Sequence, residues 1–93
     1  MAVKNRVRNA RELSPSRVKE IEASILSLTQ QIDKKATASN LTNRGILFAQ
    51  LGDSQDALRD FNQAIQLDNN YGLAYLNRGV VYRVIEKYDD ALS

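Results

Sequence analysis

Apolar residues recur at every third or fourth position along most of the chain, which is the spacing of one face of an α-helix. No segment alternates between apolar and polar residues for long, so β-strands are not predicted. The helical pattern breaks at Gly52 and at 68–70, and Ser14 with Pro15 forms a typical helix start. The pattern therefore predicts four helices, over about 15–35, 38–51, 54–67 and 72–85.

The first predicted helix carries a single apolar seam with spacings of three and four residues. A seam of two heptads fits either a coiled-coil dimer or a helix that packs on the rest of the chain. An isolated coiled coil of this length is marginally stable, so the sequence favours packing on the neighbouring helices. The seam residues are Val18, Ile21, Ile25, Leu28 and Ile32.

The sequence also repeats itself with a period of 34 residues. When residues 38–59 are aligned with 72–93, six of the 22 positions are identical, and they form the clusters Asn-Arg-Gly and Asp-Ala-Leu. The apolar residues between the clusters keep their character and approximate size. A shift of 33 residues aligns the seam of the first helix with the apolar face of 54–67. We therefore interpret that helix as the second helix of a degenerate preceding repeat.

These patterns predict an organisation in four parts. They are a basic and disordered arm (1–13), an amphipathic helix that is either a degenerate repeat helix or a cap (14–36), a first repeat (37–70) and a truncated second repeat (71–93).

Charge is concentrated at the start of the chain. The 93 residues have a formal net charge of +2, but residues 1–19 hold six basic residues and one acidic residue, a net charge of +5. Such an arm could contact nucleic acid or an anionic membrane surface, although residues 1–40 contain no aromatic side chain for base stacking. No apolar run is long enough for a membrane span or a secretory signal, so a cytoplasmic location is expected.

The repeat resembles the tetratricopeptide repeat in its 34-residue period and in the spacing of its small and aromatic residues. The resemblance covers residues 38–93 directly and 16–35 weakly. It implies an all-α fold, an α-α superhelix of stacked antiparallel helix pairs with about 1.5 repeats plus the N-terminal amphipathic helix. The residues that carry it are Gly45, Phe48, Ala57 and Phe61 in the first repeat, and Gly79, Tyr82 and Ala91 in the second.

Three kinds of position depart from the family's pattern. Leu41 and Tyr75 replace its first-helix tryptophan, and Asn69 replaces its loop proline, so that turn is expected to be looser. Arg44 and Arg78 stand where the family has a leucine before the glycine, which is a common variant.

Each helical glycine needs a physical reason, because glycine inside a helix costs about 1 kcal/mol relative to alanine. The reason expected here is close approach of two helices, with Ala57 facing Gly45 and Ala91 facing Gly79. Aromatic side chains would then wedge between successive helices, namely Phe48, Phe61 and Tyr82.

The composition argues against an enzyme. The chain has no cysteine and no histidine, which excludes thiolate and imidazole mechanisms and the usual zinc sites. Asp53, Asp56 and Asp60 recur along one helix, but helix capping and solvation explain them better than a metal site does. We expect Asp60 to pair with Arg44 in a surface ion pair worth about 0–1 kcal/mol. No metal or cofactor is predicted, and the Asn-Leu-Thr glycosylation pattern at Asn40 is discounted because it lies at a helix start.

The resemblance implies a non-catalytic module that binds a peptide or helix segment of another protein in a concave groove lined by the first helix of each repeat. Thr42 and Ile46 stand where a groove for acidic chaperone tails needs basic and amide residues. A mixed apolar and amide groove for a neutral or amphipathic peptide is expected instead. Carried over by position, its lining residues are Thr42, Asn43, Ile46, Gln50, Leu76, Asn77, Val80 and Val84.

The last predicted helix leaves an apolar stripe with no following repeat to cover it. Repeat arrays need a polar terminal cap, because each unit buries its apolar face on its neighbour. The chain is therefore expected to be part of a longer array or to form homodimers through this face, and self-association is the alternative function. The stripe consists of Leu73, Leu76, Val80 and Val84.

Overall fold

The computed structural model describes residues 13–92 of the chain, with side chains from 13 to 87. Consecutive helices contact one another, and the last helix also contacts the second. Residues 13–92 contain no strand, so the predicted all-α fold is confirmed. The four helices are α1 (Pro15–Lys34), α2 (Ala38–Gln50), α3 (Ser54–Leu67) and α4 (Gly72–Leu92).

Local hydrogen bonds define where α1 and α2 begin. Ser14 caps α1 as predicted, because its hydroxyl accepts a hydrogen bond from the backbone N–H of Arg17 at 3.2 Å. Thr37 caps α2 in a reciprocal capping box that the sequence analysis did not anticipate. The Asn40 N–H donates to the Thr37 hydroxyl at 3.0 Å, and the Thr37 N–H donates to the Asn40 side chain at 2.8 Å.

The turn between α2 and α3 depends on Gly52. Its φ is 79°, a left-handed conformation that glycine adopts without a steric penalty. The Gly52 N–H donates to the Ala49 carbonyl at 3.0 Å and the Asp53 N–H to the Phe48 carbonyl at 2.9 Å, which is the Schellman pattern. The predicted role of Gly52 at the end of α2 is confirmed, and the short connection makes α2 and α3 antiparallel neighbours.

Helix α4 is longer than the sequence pattern predicts. It continues to Leu92, whereas the repeat predicts an end near residue 85. The residue 34 positions after Gly52 is Glu86, and a side chain makes the left-handed turn unfavourable. The chain therefore has no local signal that would end α4 where α2 ends.

The core consists of two clusters between the helices. One contains Ala57, Leu58 and Phe61 of α3 with Val81 of α4, and the other contains Leu41, Ala64 and Ala74. The seam of α1 faces the stack, since Ile21 is fully buried, the other four seam residues are partly buried, and Leu26 outside the seam is exposed.

The close approach at Gly45 involves a different residue from the one predicted. A Cβ atom on Gly45 would lie 2.6 Å from Cε1 of the Phe61 ring, and its three nearest neighbours are all atoms of that ring. Ala57 is fully buried in the same cluster but is not among those neighbours. The glycine therefore makes room for an aromatic ring on α3 rather than for a second small residue.

The corresponding predictions for the second repeat are wrong. Gly79 and Ala91 lie in the same helix, 12 residues and about 18 Å apart along its axis, so they cannot face each other. A Cβ on Gly79 would have nothing within 4 Å. Tyr82 is 49% exposed and does not wedge between helices. The side chain of α4 that enters the core at this level is Val81.

We expect the variant Gly45→Ala to be about 1–3 kcal/mol less stable than Gly79→Ala. Both substitutions gain the same helix propensity, about 1 kcal/mol, but only the methyl group at residue 45 collides with a buried ring. Urea denaturation followed by circular dichroism measures both free energies of unfolding. Equal stability of the two variants would show that the Phe61 ring moves aside at no cost.

Candidate functional site

An ion pair between α2 and α3 holds the first repeat together. Nε and Nη2 of Arg44 donate to the two carboxylate oxygens of Asp60, each at 2.8 Å. Nη1 of Arg44 also donates to the hydroxyl of Thr29 on α1 at 3.2 Å, so one guanidinium connects three helices. The predicted pairing is confirmed.

The predicted surface character of that pair is wrong. The side chain of Asp60 is 2% exposed and that of Arg44 is 18% exposed. The hydrogen bond to Asp60 raises the pKa of Arg44 above its ordinary value, because it favours the charged guanidinium. Arg44 therefore keeps its charge at every pH compatible with the fold, and the pair supports the helices that carry the candidate groove.

The exposed apolar stripe on α4 is the main feature of the candidate site. Every third or fourth residue of this helix, from its first turn onward, leaves an aliphatic side chain in solvent. Their exposed fractions lie between 39% and 62%, which is unusual for four large apolar residues on one helix face. The stripe residues are Leu73, Leu76, Val80 and Val84.

The α2 side of the predicted groove is smaller than expected. Thr42 is fully buried, so its assignment to the lining is wrong, and its hydroxyl has no hydrogen-bond partner among the described residues. Asn43 and Gln50 are exposed, whereas Ile46 is partly buried and packs against the core cluster of Phe61. On α2 the accessible lining is therefore mainly the two amides.

Asn77 lies on α4 beside the stripe. Its side-chain amide donates one hydrogen bond to the carbonyl of Leu73, one turn earlier in the same helix, at 2.8 Å. The bond fixes the orientation of the amide, and the carbonyl oxygen and second N–H of the amide group have the chemistry to pair with a peptide backbone.

Two basic residues next to the stripe were missed in the sequence analysis. Arg83 and Lys87 are exposed, and at about 100° per residue they lie on the same side of α4 as Leu76. The helical spacing of the two charges relative to Leu76 was the signal in the sequence that could have located them.

Three aspartate carboxylates lie in α3 or at its N-cap, and their positions are those of structural residues. Asp60 is engaged by Arg44, and Asp56 lies in the first turn of α3, 3.5 Å from Arg59. Asp53 occupies the N-cap position, but its side chain makes no capping hydrogen bond. Among the described residues, no group of three His, Cys, Asp or Glu side chains is placed to hold a metal ion.

Asn40, the first residue of the glycosylation pattern, also has a structural role. The Asn40 side chain accepts from Thr37 in the capping box and donates to the carbonyl of Lys35 at 3.0 Å. Its amide is therefore part of the helix start.

The predicted basic arm, residues 1–13, lies outside the described residues except for Leu13. No helix in the part of the chain that the structure describes combines the length and the hydropathy that a membrane span requires.

Comparison with known proteins agrees with this stack of helices. A family model described as a TPR repeat matches residues 45–83, from Gly45 of α2 to Arg83 of α4. The chain therefore contains a segment that matches the tetratricopeptide repeat. The match supports a general role in binding other proteins, which is the usual role of this non-catalytic repeat.

Three curated relatives illustrate the similarity. The chain is 46% identical over 46 residues to tetratricopeptide repeat protein 6 of Homo sapiens, covering 50% of this chain and 9% of that protein. It is 36% identical over 58 residues to DnaJ homolog subfamily C member 7 of Homo sapiens, covering 62% and 12%. It is 34% identical over 53 residues to the probable UDP-N-acetylglucosamine–peptide N-acetylglucosaminyltransferase SPINDLY of Hordeum vulgare, covering 57% and 6%.

These similarities concern the repeat alone, because the chain spans only 6% to 12% of the length of those relatives. No solved structure matches the chain.

Proposed function

We propose that this chain is a non-catalytic interaction module that binds a peptide or helix segment of a partner protein along α4 and the adjacent edge of α2. The observation that supports this proposal is the exposed aliphatic stripe of α4. Helices α2 and α4 contact each other, and the proposal assigns the amides of α2 to the same groove as the stripe. The accessible residues of the proposed groove are Asn43, Gln50, Leu76, Asn77, Val80 and Val84, with Ile46 partly covered.

The chemistry of this surface selects an amphipathic ligand. Aliphatic side chains of the ligand would cover Leu76, Val80 and Val84, and Asn77 would pair with its backbone. Arg83 and Lys87 favour an acidic residue at the border of the ligand. Burying one of these aliphatic side chains fully contributes about 1.5–3 kcal/mol, so two such contacts supply a large part of the roughly 8 kcal/mol of a micromolar interaction.

The variant Leu76→Lys tests this proposal. The probes are 12-residue peptides. They are selected from a random display library for binding to the wild-type chain. We expect Leu76→Lys to weaken their binding about tenfold or more in fluorescence anisotropy titrations, because it replaces the most exposed aliphatic contact with a charge.

Leu26→Lys is the matched control, because Leu26 is 61% exposed on α1, away from the groove. It should bind the same peptides as the wild-type chain does. Selected peptides that bind Leu76→Lys as tightly as the wild-type chain would contradict the proposal.

Self-association through the same stripe is the second candidate function. It is favoured by the number of aliphatic residues that α4 leaves in solvent. Sedimentation equilibrium distinguishes the two functions. Self-association is favoured if the wild-type chain forms a dimer and selects no peptides, and if the Val84→Lys variant is monomeric.

We infer further that the protein is not an enzyme and acts in the cytoplasm. The lack of cysteine and histidine and the structural surroundings of the α3 carboxylates support the first inference. The absence of cysteine is compatible with the second, and imaging of a fluorescently tagged chain tests it.

A further inference from the structure

Ser14 is the only residue of the chain that combines a hydroxyl group with a following proline. The 93 residues contain one proline, Pro15, so no other serine or threonine stands directly before a proline. A basic residue, Arg17, follows three positions after Ser14. This Ser-Pro-Ser-Arg segment begins α1 and lies outside the proposed groove.

The side chain of Ser14 is accessible from solvent. All four residues of the segment are exposed. The hydroxyl of Ser14 accepts a hydrogen bond from the N–H of Arg17 at 3.2 Å and lies 3.3 Å from the hydroxyl of Ser16. Both contacts are at the surface, so an enzyme reaches the Ser14 oxygen without opening the core.

The backbone at Ser14 suits an enzyme that binds an extended substrate segment. Its φ is −65° and its ψ is 153°, and a following proline favours this extended conformation. Pro15 has no N–H, so it fits a binding site that offers no hydrogen-bond acceptor there, whereas a site with an acceptor would leave that acceptor unpaired. The first turn of α1 must open during the reaction, and the end turns of helices open readily. The segment therefore selects for proline-directed protein kinases.

The start of α1 lacks negative charge. Its first turn contains no acidic residue, and Arg17, with 51% of its side chain exposed, places a positive charge near the positive end of the helix dipole. Nη1 of Arg17 donates to Glu20, one turn further along, at 3.1 Å. A phosphate on Ser14 would bring almost two negative charges and three acceptor oxygens to the position where the N–H of Arg17 already binds the Ser14 oxygen. The modification would therefore strengthen the existing cap.

We propose that a proline-directed protein kinase recognises Pro15 and Arg17 and phosphorylates Ser14, and that the phosphate stabilises α1 on the stack. The Ser14 oxygen attacks the γ-phosphorus of ATP, the bond from that phosphorus to the bridging oxygen breaks, ADP leaves, and the hydroxyl proton passes to a carboxylate of the kinase. Helix α1 contacts α2, and its Ile21 is fully buried two turns beyond Ser14. A firmer helix start holds this packing more tightly.

The first experiment tests the site of modification. The full chain is incubated with Mg-ATP and a purified cyclin-dependent kinase, which is a proline-directed enzyme, and tandem mass spectrometry locates the phosphate. We expect one phosphate per chain, on Ser14, and none in the Ser14→Asn variant, which keeps an N-cap side chain but has no hydroxyl. Pro15→Ala should lower the initial rate about tenfold or more.

Arg17→Gln and Lys19→Gln are a matched pair of variants. Each removes one positive charge from an exposed residue near the start of α1, but only Arg17 lies three residues after Ser14. We expect Arg17→Gln to lower the rate of phosphorylation about threefold or more and Lys19→Gln to leave it unchanged.

The second experiment tests the effect of the phosphate. Circular dichroism measures the midpoint of thermal unfolding of the phosphorylated and the unmodified chain. We expect phosphorylation to raise the midpoint by about 2–6 °C, the shift for an anion at a helix N-terminus in a domain of this size. The difference should shrink at about 1 M sodium chloride, because salt screens charges at the surface.

Two results would overturn the proposal. One is a chain that carries no phosphate on Ser14, or that is phosphorylated at equal rates in the wild-type, Pro15→Ala and Arg17→Gln forms. The other is a midpoint that phosphorylation leaves unchanged or lowers. Neither experiment involves peptide binding, so the result does not depend on the proposed groove.

Discussion

The variant Arg44→Met is expected to lower the free energy of unfolding by about 3 kcal/mol, the lower end of the range for removing one partner of a buried ion pair. It leaves the carboxylate of Asp60, which is 2% exposed, without the two hydrogen bonds that compensate its burial. A chain of this size has a net stability of about 5–15 kcal/mol, so the loss is a large fraction of the total. Urea denaturation followed by circular dichroism measures it.

Two further variants separate the ion pair from other effects of the substitution. Arg78→Met removes an arginine that has no buried acidic partner among the described residues, so we expect it to cost less than about 1 kcal/mol. The double variant Arg44→Met/Asp60→Leu should recover most of the stability, because no charge remains buried. If Arg44→Met and Arg78→Met destabilise the chain equally, the buried pair does not carry the stability assigned to it.

The variant Phe61→Ala is expected to cost about 3–5 kcal/mol. Phe61 is fully buried, belongs to the cluster with Ala57, Leu58 and Val81, and lies against the backbone of α2 at Gly45. Its removal leaves a cavity between α2, α3 and α4. Thermal and urea denaturation measure the loss, and Phe48→Ala, at a partly buried position, should cost less.

Residues 45 and 61 should be energetically coupled. In the Phe61→Ala background, the methyl group of Gly45→Ala enters the vacated space, so the substitution that destabilises the wild-type chain becomes neutral or stabilising. The coupling energy of this double-mutant cycle is expected to be about 1–3 kcal/mol, the cost of the collision. Additive effects would contradict the close packing of the ring on Gly45.

Much of the fold was predictable, because its signals are local in sequence. The apolar spacing predicted the helices, Ser14 and Gly52 predicted two of their ends, and the 34-residue period predicted the tetratricopeptide repeat that the family model matches. The end of α4 was predicted wrongly because the period was extended past Glu86, where the glycine that ends α2 has no counterpart.

The candidate site was less predictable, because its residues depend on which neighbour covers each face. Thr42 and Leu76 hold equivalent positions in the two repeats, but Thr42 is fully buried and Leu76 is 62% exposed. Position within a repeat assigns a residue to a face, and the presence or absence of a packed helix decides whether the face is accessible.

The sequence by itself determined the helices, the apolar seams and the repeat, since these follow from the spacing of residues close together in the chain. Only the tertiary structure decided that Gly45 holds an aromatic ring while Gly79 stands open, and that Asp60 is buried beneath Arg44. The physical reason is that burial depends on contacts between helices. Helix α3 covers the face of α2 that holds Gly45, and no helix in the described part of the chain covers the face of α4 that holds Gly79.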